Sequence, residues 1–88
     1  MSDQTVAEVL AAADDSVTLI NDINTNGSDS EHVPSNYSQD DINDMVQRNV
    51  DHLEVILAYT DPDVAGSSDD KSSYTSAITT GKAYIAAN

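Results

Sequence analysis

From Ile42 onward, apolar residues recur at steps of three and four: Ile42, Met45, Val46, Val50, Leu53, Ile56 and Leu57, with Asn49 in the same row. Residues at that spacing fall on one side of an α-helix. An apolar stripe of this kind has to be buried against something, so it limits the fold more than any other feature of the chain. Its ends are also marked. Ser38 opens "SQDD", a capping-box pattern with Asp41 in place of Glu. Asp61-Pro62 closes the run, because a residue before proline avoids helical angles. The spacing predicts a helix over about 39–59.

Two further stripes supply surfaces to pack against. Val6, Val9, Leu10, Ala13, Val17 and Ile20 share a face, widened by Leu19 and Ile23, with Ser2 and Asp3 as cap candidates. Asn26-Gly27 supplies residue types that accept a left-handed backbone where a helix stops, giving a first helix over about 3–25. Ser68-Asp69-Asp70 heads a third, over about 68–86, in which Tyr74, Ala77, Ile78, Gly81 and Ile85 share a face. Gly81 costs that helix about 1 kcal/mol relative to alanine, and in exchange another element can approach closely. The expected fold is all-α, a small three-helix bundle or a helical hairpin plus an N-terminal helix. It forms a single acidic domain over 1–88, with loops at about 26–38 and 60–67.

Eighty-eight residues with no Phe, no Trp and four Tyr leave Val, Ile, Leu and Ala to fill the core. A chain of this length buries only about 60–65% of its unfolded surface, so completion by a partner or an oligomer is expected and a large catalytic cleft is not. Cysteine is absent, which excludes disulfide scaffolds and thiolate metal sites. "MSDQTVAEVL" has no basic start followed by a hydrophobic segment, so no secretory signal is expected. Sixteen acids, thirteen of them Asp, stand against three bases, a formal net charge of −13. That field opposes nucleic acid and anionic membranes as partners. It permits cation binding, docking on a basic protein surface, mimicry of a phosphate backbone, or plain solubility. Part of the acidity is architectural, since Asp3, Asp40, Asp41, Asp69 and Asp70 fall in or beside first turns, where the helix dipole favours negative charge.

"DINTNGSDSEH", residues 22–32, opens like a calcium loop: Asp22, Asn24, Asn26 and Gly27 match D-x-[DN]-x-[DN]-G. The pattern then fails. The eighth position is Asp29, the twelfth is Val33 in place of a bidentate acid, and Pro34 blocks the exit helix. A helix end followed by a polar loop accounts for the same residues, so no metal site is expected; Asp22, Asn24 and Asn26 are the only candidate ligands. His32 and His52 lack paired-ligand spacing, and no phosphate loop or nucleophile elbow is present. Asp14-Asp15 and Asp40-Asp41 are adjacent pairs that point apart on a helix. Neither an enzyme nor a cofactor is expected.

"RNVDHLEVILAYTDPDV" followed by "SSYTSAITTGKAYIAAN" resembles small helical proteins encoded among the structural genes of tailed bacteriophages. The resemblance covers about 38–88 and is carried by Arg48, Asn49, His52 and Leu53, then Ala77, Ile78, Gly81 and Tyr84. It implies a non-enzymatic virion component of the capsid, neck or tail, made in the host cytoplasm, whose partner is a larger virion protein or further copies of itself. On that reading the third helix docks through Tyr74, Ile78, Gly81, Tyr84 and Ile85 and the acids face solvent. The alternatives are an acidic mimic of DNA that occupies a host nucleic-acid-binding protein, and a calcium-dependent assembly module.

Overall fold

The computed structural model describes residues 6–58 and 71–88, with the Val6 side chain excepted. The described residues form a three-helix bundle: α1 (Val6–Asn26), a 3₁₀ turn (Gly27–Asp29), α2 (Gln39–Leu57) and α3 (Ser72–Ala87). The expected caps Ser2 and Asp3, the loop at 60–67, and Ser68-Asp69-Asp70 lie outside the described residues. No helix among the described residues is long and apolar enough to cross a membrane.

Both ends of the first connection follow local chemistry. Gly27 is the one described residue with positive φ, at +58°, and it turns the chain out of α1. Tight turns then lead to α2, with Val33 N–H donating to Ser30 O and Tyr37 N–H to Pro34 O, each at 3.1 Å. At Ser38 the capping box is complete: Asp41 N–H donates to Ser38 Oγ at 3.2 Å, and Ser38 N–H donates to Asp41 Oδ2 at 3.0 Å. Helix α2 stops at Leu57, short of the expected 59. There the Ala58 N–H is shared between the carbonyls of Glu54 and Val55, the tightened last turn common at helix ends. Helix α3 runs one residue past its expected end, to Ala87.

The core is built from Val9, Leu10, Ala13, Ile20 and Ile23 of α1, Ile42, Val46, Val50, Leu53 and Ile56 of α2, and Tyr74 and Ala77 of α3. Its rows recur at four-three spacing, and a polar residue sits midway along two of them. Ser16 of α1 is buried, whereas Val17, expected in its place, is only partly so. Ser16 Oγ donates to Asn49 Oδ1 of α2 at 2.8 Å, and Asn49 Nδ2 donates to Met45 O at 2.8 Å, so this interior polar pair is satisfied. Tyr84 of α3 meets Gln39 at the start of α2, while Gly81, three residues earlier, faces Val46 and Val50 further along it, so α2 and α3 run antiparallel. Tyr74 lies against Asp14, and a Cβ built on Gly81 would contact Ile20; both contacts advance together along α1 and α3, which are therefore parallel. The bundle is up-down-up.

At Gly81 the helices approach closely. A Cβ at this position would stand 2.5 Å from Val50 Cγ2, 3.3 Å from Val46 Cγ1 and 3.4 Å from Ile20 Cγ2. The absent side chain allows α3 to nest between α1 and α2. Tyr74 has no exposed surface, yet its hydroxyl reaches the rim and donates to Asp14 Oδ1 at 3.3 Å.

Candidate functional site

The docking face expected on the third helix is turned inward. Tyr74 and Gly81 are buried between α1 and α2, while Ile78, Tyr84 and Ile85 are half-buried and packed on the core. Tyr84 is also engaged across the bundle, accepting a hydrogen bond from Gln39 Nε2 at 3.0 Å. The assignment of Tyr74 and Gly81 to a partner surface is therefore corrected. A stripe on a short helix fills the intramolecular core first, because that burial carries no cost of association.

The calcium-like residues are not arranged as a loop. Asp22, Asn24 and Asn26 all lie within α1. At about 100° per residue, Asn24 points roughly 200° round the helix from Asp22. Asp22 instead organises the chain's own turn. Its Oδ1 accepts from Asn26 Nδ2 at 2.7 Å, its Oδ2 accepts from Ser30 Oγ, and Ser30 Oγ accepts from the His32 N–H at 3.1 Å. The Ser30 and Asn26 hydrogen bonds, aided by the charge of His32 when protonated, hold the Asp22 carboxyl below its ordinary value, against a smaller opposing effect of burial. His32 Nε2 sits 3.7 Å from Asp22 Oδ2 and 3.9 Å from Glu31 Oε1 and makes no hydrogen bond. The carboxylate, not the imidazole, is the central member of this Ser-Asp-His group, so it lacks the relay of a nucleophilic triad. His52 is half-buried on α2, with Nε2 enclosed and unpartnered. Among the described residues, no three His, Asp or Glu side chains are grouped to hold a metal ion.

What the bundle presents outward is charge, unevenly placed. Every acidic side chain among the described residues lies on α1, α2 or their connection, whereas Lys82 is the one charged side chain in Ser72–Asn88. Lys82 Nζ reaches Glu54 Oε2 of α2 at 3.3 Å. Along the solvent side of α2, Asp40, Asp44, Asp51 and Glu54 fall within about 80° of one another and span about 21 Å of the helix. All four are exposed. Arg48 pairs with Asp44 at 3.5 Å, while Asp51 accepts from Gln47 Nε2 at 2.8 Å. Reading the acids by their place along the chain, at starts and loops, misses this alignment; counting them by angle around the helix recovers it.

Beside the stripe is a shallow cavity of about 230 Å³, lined by Asn36, Tyr37, Asp41, Asp44, Met45 and Arg48. The sequence reading did not find it, because Asn36 and Tyr37 arrive from the connecting loop. An aromatic just before a capping box, followed by polar residues at helical spacing, was the available signal.

No protein-family model, curated protein or solved structure matches this chain.

Proposed function

We propose that the chain is a non-enzymatic accessory subunit of a tailed-phage particle, held through its acidic α2 side to a basic surface on a larger virion protein. The observation that carries this reading is the partition of charge: carboxylates on α1, α2 and their connection, and none among the side chains of Ser72–Asn88. A chain of net charge −13 with nine carboxylates on α1 and α2 is oriented toward a positive patch and meets it faster. The resemblance of residues 38–88 to phage structural proteins supplies the setting. Mass spectrometry of purified particles tests the proposal. The polypeptide is expected in a defined copy number and is released by a high-salt wash, since exposed ion pairs are screened. Its absence from particles ends this reading.

A second reading draws on the α2 stripe. Asp40, Asp44, Asp51 and Glu54 set carboxylates along one extended face, as an acidic mimic of a phosphate backbone requires. Competition in a gel shift separates the two. A mimic displaces DNA from a host DNA-binding protein and loses this effect in the variant carrying Asp44→Asn and Asp51→Asn; a particle subunit leaves the DNA complex intact.

A further inference from the structure

The cavity on the flank of α2 has a definite chemical character. Its volume of about 230 Å³ is below the roughly 300–1,000 Å³ of small-molecule sites, so it suits one side chain of a macromolecule rather than a cofactor. Tyr37, 38% exposed, offers an aromatic surface, and Met45 adds an adaptable apolar one that is partly packed on the core. Asp41 and Asp44 supply negative charge. Asp41 already holds the Ser38 N–H through Oδ2. Asp44 is held only by Arg48, at 3.5 Å and with both side chains more than 70% exposed, a pair that solvent and salt weaken.

We propose that this cavity receives an arginine side chain from a basic segment of a partner protein, its guanidinium stacked on Tyr37 and forked onto Asp44 in place of Arg48. Three features favour this occupant. A guanidinium from this chain already reaches Asp44, so the carboxylate is accessible to that group. Arginine stacks on an aromatic face while binding a carboxylate, which lysine does less well. The net charge of −13 concentrates cationic segments near this surface. The inference deepens the docking reading and rests on its claim that the partner is a basic protein.

The test is an NMR titration of the full chain with a capped pentapeptide, Gly-Ser-Arg-Ser-Gly, against the same peptide carrying neutral citrulline or lysine. Amide shifts are expected at residues 36–37 and 41–48, strongest with arginine and absent with citrulline. Tyr37→Ala and Asp44→Asn, both at exposed positions, each weaken binding about threefold, in line with an exposed cation–π or ion-pair contact. Arg48→Ala tightens it about twofold by removing the competitor, while Lys82→Ala, with the same change in net charge, has a smaller effect. Equal responses to Arg48→Ala and Lys82→Ala, shifts spread evenly to Asp14, Asp15 and Asp29, or an equal response to citrulline or lysine would overturn the assignment. A flat titration removes the arginine site and leaves the particle reading standing. Absence from particles removes the latter and leaves the titration intact.

Discussion

At the residue scale, Gly81 and Asp22 each carry a role that no other residue type fills well. Alanine at position 81 gains about 1 kcal/mol in helix propensity. Its Cβ, however, meets Val50 Cγ2 at 2.5 Å, and valine is stiff about χ1 and cannot swing aside. Overpacking of a core costs about 1–3 kcal/mol, so Gly81→Ala is expected to destabilise by about 1 kcal/mol net, read as a lower urea midpoint. A more stable variant would show that α2 and α3 are not in close contact at this point. Asp22 makes a pH-dependent contribution. Its folded pKa is depressed by Ser30 and Asn26, so the stability it adds is present above the unfolded value of about 3.9 and is lost as pH falls through the lower folded value. Wild type should therefore exceed Asp22→Asn in stability at pH 6, and the gap should close below about pH 4. Comparing the two proteins by thermal unfolding removes the contribution of every other carboxylate. A gap independent of pH would mean that the Ser30 and Asn26 bonds do not favour the ionised form.

At the scale of elements, α2 is the best specified helix. It has the reciprocal Ser38–Asp41 cap, acids in its first turn, and a buried row from Ile42 to Ile56. Ser38→Ala removes the acceptor for the Asp41 N–H and is expected to cost about 1 kcal/mol, roughly 4–8 °C in melting temperature for a domain of this size. Because the box is reciprocal, adding Asp41→Ala should lower stability by less than the sum of the two single effects. Full additivity in thermal unfolding would contradict the paired geometry. The link between α1 and α2 is of another kind. Ser16 and Asn49 bond to each other midway along the helices, and sliding one helix past the other would leave the buried Ser16 hydroxyl without this acceptor.

For the whole molecule, charge opposes compaction. Sixteen acids against three bases on an 88-residue chain generate a repulsion that the bundle must overcome. Raising ionic strength from 0.01 M to 0.1 M shortens the screening length from about 30 Å to about 10 Å. Stability, followed as the urea midpoint, should rise over that range. A flat or falling response would mean that the local pairs Arg48–Asp44 and Lys82–Glu54 outweigh the repulsion. The same field makes docking on a basic surface sensitive to salt, which connects this measurement to the proposed association with a larger protein.

Much of the fold is legible from local spacing. Helical pitch, the Ser38 box and the Asn26-Gly27 stop are each contained within a few consecutive residues, so the three helices and the first connection could be read directly. The occupants of the interior could not. Val17 and Ser16 both lie near the α1 stripe, and it is Ser16 that the bundle buries, bonded to Asn49 of α2. The stripe of Tyr74 and Gly81 shows that a side of α3 will be covered, not by what; α1 and α2 cover it here. The cavity depends on Tyr37 of the loop folding beside Asp44 and Met45 of the helix, a meeting set by the packing of the chain. Periodicity is a property of one segment, whereas a face acquires its partner, and a site its shape, only when segments distant in sequence are brought together.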